Sequence, residues 1–154
     1  MKKERGFTLV EVMVTVAIMG VLASMVGITM GLLLGQRVKS MAADTKSVLQ
    51  STQIVALSRD DAYVEIVNSG DNSSVIAYSS AGKVINRAEG HDVKVYVTIG
   101  GSETLAGVTQ IHFDRQTGGL KPQPNGQYVS QLRITNGKRS VTLKISKLTG
   151  KVTY

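Results

Sequence analysis

The sequence predicts an α+β fold in which one long N-terminal helix packs on an antiparallel β-sheet domain. Three observations predict it. Residues 12–36 carry no charge, residues 38–56 repeat apolar side chains at helical spacing, and the rest of the chain alternates short strand-like segments with turn signals. A chain of 154 residues is long enough for one core and an appendage.

The uncharged segment 12–36 is long enough to cross a membrane as a helix, since a bilayer needs about 20 apolar residues. Lys2, Lys3 and Arg5 precede it, and such clusters stay on the cytoplasmic side, so we expect the C-terminal domain outside the cytoplasm. A cleaved signal peptide is an alternative, but the apolar run is longer than usual and no clean cleavage site closes it. An uncleaved anchor is the other alternative.

Glu11 is the feature that neither alternative explains. A carboxylate in a membrane helix costs roughly 2.5 to 3.5 kcal/mol at the centre and less near an end, so it needs a partner. Arg5 on the cytoplasmic side is one simple partner.

The residues around Glu11 supply a more specific interpretation. The stretch "GFTLVE" and the apolar run behind it resemble the processing site of type IV pilins and type II secretion pseudopilins. The resemblance implies cleavage between Gly6 and Phe7 by a prepilin peptidase and methylation of the new N-terminus. Phe7 and Glu11 would then share one helix face at i and i+4. We expect Glu11 to neutralise the Phe7 amine of its own or a neighbouring subunit during assembly.

Small residues form a stripe along the apolar segment. In lipid, small residues three or four positions apart let helix backbones approach each other, although glycine is also simply frequent in membrane helices. The residues predicted to pack against neighbouring helices are Gly20, Gly27, Gly31 and Gly35.

The helix is expected to continue as an amphipathic segment after Arg37 and to end near Leu57. A helix from Phe7 to that point would be roughly 75 Å long. The predicted organisation is a leader (1–6), a transmembrane and assembly half of the helix (7–36), an amphipathic half (37–58) and a β-rich globular domain (59–154).

The globular domain is predicted to contain strands 62–67, 74–79, 83–88, 93–99, 108–113, 130–135 and 139–146. "NG" at 136 and 137 predicts a two-residue hairpin turn that pairs Leu132 with Val141 and Arg133 with Ser140. In that hairpin, one set of side chains would face the core: Leu132, Ile134, Val141, Leu143 and Ile145.

The order of elements, with "IHFDRQTGGLKP" and "LRITNGKRSVTLKISKLTGKV" near the end, resembles the H-type minor pseudopilins of type II secretion and the FimT-type minor pilins. This resemblance implies a pilin fold and a structural role in a secretion pseudopilus or a type IV pilus. The implied partners are other pilin or pseudopilin subunits, the prepilin peptidase, the inner-membrane assembly platform and the membrane. The implied location is the inner membrane, followed by a filament or its tip.

Catalysis finds little support in the composition. The chain has no cysteine, and His91 and His112 are its only histidines, so a thiol nucleophile or a three-histidine metal site cannot be built. Asp60 and Asp61 are adjacent carboxylates of the kind that is usually solvated. We therefore expect no enzyme activity, no cofactor and no metal.

Charge supplies an alternative function. The formal net charge is +7, residues 60–114 are net acidic, and residues 115–154 contain only basic charges. A FimT-like minor pilin could bind DNA for uptake through this basic region, with Arg133, Lys138, Arg139 and Lys144 on phosphates. We favour a simpler role, in which the basic surface meets the acidic section of another subunit, because aromatic residues that could stack on bases are sparse there.

Overall fold

A computed structural model describes residues 8–58 and 60–154, with the backbone alone for the helical residues 25–34. Its first element is a single helix, α1 (Leu9–Leu57). Nine strands follow within the described residues: β1 (Tyr63–Ser69), β2 (Asn72–Tyr78), β3 (Val84–His91), β4 (Lys94–Ile99), β5 (Ser102–Leu105), β6 (Val108–His112), β7 (Val129–Thr135), β8 (Ser140–Ile145) and β9 (Val152–Thr153). The predicted α+β class is confirmed, and the helix ends where the sequence predicts.

The strands form two antiparallel sheets. One sheet has the order β3-β2-β1-β6 and the other has the order β5-β4-β7-β8-β9. Strands β5 and β9 were not predicted from the sequence. The first is only four residues long and fully exposed, and the second is only two residues long, so neither carries a period-2 pattern long enough to recognise.

The chain divides into two units, Met1–Leu34 and Gly35–Tyr154. The second unit, here called the globular unit, holds one hydrophobic core made by α1 and the inner faces of both sheets. From the helix it takes Val38, Met41, Ala42, Val48, Leu49 and Ala56, which are all at most 1% exposed. Their spacing is that of one helical stripe, as the sequence predicts.

Asn68 joins the two sheets of the globular unit. From β1 its side-chain amide donates to the carbonyls of Val95, at 2.9 Å, and Ala106, and its oxygen accepts from the Val95 amide at 3.0 Å. The Ser73 hydroxyl, on β2, contacts the same oxygen and the Val93 carbonyl. Because these backbone groups are partly buried, the pairing avoids a cost of about 1–3 kcal/mol for each unsatisfied group.

Gln53 connects the end of α1, through hydrogen bonds, to two loops that are distant in sequence. Its side-chain amide donates to the carbonyls of Gly118, at 2.9 Å, and Thr149, at 2.5 Å. Gly150 completes the junction at φ +63°, where a Cβ would lie 2.2 Å from the Gly118 carbonyl oxygen. Only glycine fits so close an approach in this conformation.

The predicted register of the β7–β8 hairpin is wrong. Leu132 pairs with Leu143 and Arg133 with Thr142, two residues further along than predicted. The turn is centred on Gly137 and Lys138, because the Asn136 side chain accepts from the amides of Lys138 (3.2 Å) and Arg139 (2.9 Å). The slip is an even number of residues, so the predicted core face is preserved. Four of its five residues are buried and Val141 is half-buried.

Candidate functional site

Helix α1 begins beside the predicted processing site. Thr8 precedes the first turn, and its hydroxyl accepts from the Glu11 amide at 3.3 Å. Threonine three residues before glutamate is the spacing of an N-terminal capping box, and an acidic side chain in the first turn also favours the helix dipole. Glu11 is exposed. Gly6 and Phe7 lie outside the described residues.

The first turns of α1 carry large apolar side chains that nothing in the described chain covers. Leu9, Met13, Val16 and Met19 are between 62% and 76% exposed. Among the residues that the structure describes, no helix meets the length and hydropathy of a membrane span.

The small-residue stripe divides between the two units. Apart from the adjacent backbone of its own helix, no described atom lies within 4 Å of where a Cβ on Gly20 would stand. Gly35 is buried in the globular unit, where a Cβ would lie 2.6 Å from a guanidinium nitrogen of Arg139. The packing of Gly27 and Gly31 lies outside the described side chains.

Most acidic side chains of residues 60–114 form ion pairs within the molecule. Asp61, Asp71, Glu89, Asp92 and Glu103 each form an ion pair, so five of the eight acids in residues 60–114 have a basic partner within the chain. The remaining three accept hydrogen bonds from neutral groups. This section is therefore less available to the basic region of another subunit than its composition indicates.

Arg133 differs from the other predicted anion-binding residues because it has a carboxylate partner. Its guanidinium donates to both oxygens of Glu103, at 2.6 and 2.9 Å, and lies over the Tyr96 ring at 4.4 Å. The hydrogen bond to Glu103 raises the pKa of Arg133, and the same bond lowers the pKa of Glu103. Glu103 thus occupies two of the guanidinium nitrogens, Nε and Nη2, and its negative charge opposes the binding of a phosphate there.

The other three predicted residues have no such partner. Among the described residues, no carboxylate lies within ion-pair distance of Lys138, Arg139 or Lys144. Lys138 and Arg139 are in the β7–β8 turn, and Lys144 is exposed on β8.

Two further lysines near β8 come from α1, and the sequence alone did not indicate that they lie there. Lys39 lines a hollow of about 280 Å³ with Val141 and Tyr154. The Lys46 ammonium lies 4.5 Å from the centre of the Tyr154 ring. Because the helix and β8 are a hundred residues apart in sequence, only the fold brings these charges together.

The residues considered for catalysis have structural partners. His112 stacks on Tyr63 with ring centres 5.3 Å apart, and burial lowers its pKa. The His91 ring contacts the Asn72 side-chain oxygen at 3.1 Å. Asp61 binds Lys121 at 3.0 Å, and this hydrogen bond is the main cause of its lowered pKa.

Asp60 accepts from the Ser80 amide at 3.1 Å, and its pKa is lowered by hydrogen bonding to Ser80. Within the described part of the chain, no cluster of three histidine or acidic side chains could hold a metal ion.

Comparison with known proteins gives one result. Residues 1–27 match the family model of the prokaryotic N-terminal methylation motif. Searches of curated proteins and of solved structures found no match. The motif is the signal of type IV pilins and pseudopilins, which are processed by a prepilin peptidase and assemble with other pilins as structural subunits. It suggests anchoring in the membrane before entry into a pilus.

Proposed function

We propose that the protein is a minor pilin or pseudopilin, a structural subunit of a type II secretion pseudopilus or a type IV pilus. The observation that carries this proposal is the methylation motif at residues 1–27. The fold supports it, because α1 leads from that motif into a globular unit with a core of its own. In this role the leader 1–6 is removed and Phe7 becomes the methylated first residue.

The exposed apolar side chains of the first turns fit the same role. A helix that is apolar on all sides needs either lipid or other apolar helices around it. Before assembly the segment would span the inner membrane once, with Lys2, Lys3 and Arg5 in the cytoplasm and the globular unit on the other side. After extraction, neighbouring subunits would supply the apolar surroundings.

Processing is the most direct test. Intact-mass analysis of the full chain expressed with a prepilin peptidase should give the mass of residues 7–154 plus one methyl group. The same chain from a host without the peptidase is the control and should keep residues 1–6. Retention of residues 1–6 in the presence of the peptidase, or cleavage near Ala23, would reject the proposal in favour of an anchor or a signal peptide.

A second function is DNA binding for uptake, as in a FimT-like minor pilin. The observation that favours it is the absence, within the described chain, of carboxylate partners for Lys138, Arg139 and Lys144. The pairing of Arg133 with Glu103 weighs against it. Sequence-independent DNA binding rests on phosphate contacts and is therefore strongly salt-dependent, which is the property to measure.

A further inference from the structure

Strand β8 has one paired flank and one flank that is open over half its length. Every residue from Ser140 to Lys144 pairs with β7. On the opposite flank β9 pairs only with Lys144 and Ile145. The stretch from Ser140 to Leu143 therefore has no strand beside it within the described chain.

The register shows which backbone groups this leaves exposed. The Asn136 amide donates to the Arg139 carbonyl at the end of the hairpin, so these two residues form a hydrogen-bonded pair. In an antiparallel ladder such pairs alternate, which directs the N–H and C=O groups of Val141 and Leu143 to β7. The same groups of Ser140 and Thr142 point to the open flank. Unpaired edges of this kind are templates for another strand.

A hollow of about 280 Å³, here called the groove, lies between α1 and β8 and is lined by Lys39, Val141 and Tyr154. The Arg139 side chain lies close to Gly35 of α1, and the Lys46 ammonium lies over the ring of Tyr154. Val141 is half-buried and Tyr154 is 62% exposed, so the groove has an apolar wall that solvent reaches.

The described cations of the globular unit divide into those with and those without a carboxylate partner. Six described cations form ion pairs with acids of the globular unit: Arg37, Arg87, Lys94, Arg115, Lys121 and Arg133. Seven described cations without such a pair lie along β8, in the turns at its ends or on the adjoining part of α1: Lys39, Lys46, Lys138, Arg139, Lys144, Lys147 and Lys151. Lys83, in the β2–β3 turn, is also unpaired.

We propose that the open edge of β8 binds an extended acidic segment of a partner protein, which adds a strand to the sheet. The backbone of the segment would pair with Ser140 and Thr142. Alternate side chains would enter the groove at Val141 and Tyr154, and its carboxylates would meet the surrounding lysines. Backbone pairing gives affinity in such strand addition, and the side-chain pockets give specificity.

The open backbone edge favours a peptide over a nucleic acid as the occupant. A peptide backbone can pair with the N–H and C=O groups of Ser140 and Thr142, whereas a nucleic acid would contact the cations and offers no strand backbone to pair with these groups. The two tyrosines near these cations already have a lysine over the ring, Lys46 over Tyr154 and Lys147 over Tyr128. This inference is independent of whether the chain belongs to a pilus or a pseudopilus.

Replacement of Thr142 by proline tests the proposal. Proline removes an N–H that points away from β7, and edge positions of this kind tolerate it. The matched control is Thr142→Val, which changes the side chain and keeps the N–H. The probe is a fluorescent peptide of about six residues that alternates glutamate and valine, with a lysine and valine peptide as the charge control. Binding to the full chain in detergent micelles is measured by polarisation.

We expect the acidic peptide to bind the unmodified chain and Thr142→Val equally, and Thr142→Pro about tenfold more weakly. The lysine peptide should not bind. Hydrogen exchange at the Thr142 amide of the unmodified chain should slow when the acidic peptide is added. This second measurement keeps the proposal testable even if Thr142→Pro folds poorly.

Several results would overturn the proposal. Equal peptide binding by a folded Thr142→Pro variant would show that the backbone edge is not used. Unchanged exchange at Thr142 under saturating peptide would show the same. Binding of an oligonucleotide in place of the peptide would assign the cations to nucleic acid, and closure of this edge by a second copy, seen by sedimentation, would assign it to self-association.

Discussion

The two halves of α1 place similar side chains in opposite environments. Leu22 in the first half is 58% exposed, and Leu49 in the second half is fully buried. Both halves contain several valines and leucines, and both are helical. The difference lies in what the chain folds over them: two β-sheets cover the second half, and nothing described in this chain covers the first. The apolar side chains of the first half can therefore contact lipid or other subunits.

The largest expected effect is on the buried half. Leu49→Ala should lower the free energy of unfolding of the globular unit by about 2–5 kcal/mol, because it leaves a cavity in a packed core. Leu22→Ala, the matched control, should change it by less than about 0.5 kcal/mol. Denaturant unfolding of the full chain in micelles measures both. Equal effects would show that Leu22 also packs within the chain.

Glu11 tests the exposed half. Under the proposed function, Glu11→Ala leaves the globular unit folded and lowers incorporation into filaments severalfold, because the Phe7 amine loses its carboxylate partner. Asp44→Ala is the control, since Asp44 is an exposed carboxylate on the second half of the same helix. Quantifying each variant in sheared filaments gives the comparison. Incorporation of Glu11→Ala at the level of the control would remove the assembly role from Glu11.

The smallest expected effect concerns DNA. Binding of duplex DNA to the full chain should be weak, with a dissociation constant of about 10⁻⁴ to 10⁻⁶ M at physiological salt. If the basic region contacts phosphates, Lys144→Ala should reduce the slope of log affinity against log salt by about 0.9. Arg133→Ala should reduce it less, because Glu103 already neutralises Arg133. Tight binding that survives high salt and depends on Arg133 would reverse this ranking and make DNA capture the main function.

Most of the fold could be predicted because its signals are local. The helix end at Leu57 follows from a change in composition, and the core face of β7 and β8 follows from alternation. The hairpin register could not be predicted in the same way. "NG" favours a two-residue turn centred on those residues, but hydrogen bonds to the Asn136 side chain move the centre by one residue.

The site was less predictable, because charges that are far apart in sequence decide it. Nothing local to Arg133 indicates that Glu103, thirty residues away, neutralises it. Nor does the sequence around Lys39 place it beside Val141. The basic region was visible from composition, but its free and its paired members are distinguished only by the folded structure.

The junction at Gln53 also sets an order of events in time. Its two acceptors lie 65 and 96 residues further along the chain, at Gly118 and Thr149. At synthesis rates of about 5–20 residues per second, α1 exists for roughly 5–20 seconds before Thr149 is made. During that interval the strands that cover the helix stripe from Val38 to Ala56 are made one after another. The Gln53 junction can thus close only after Thr149 has been made, so the end of α1 stays without these two hydrogen bonds while most of the globular unit is synthesised.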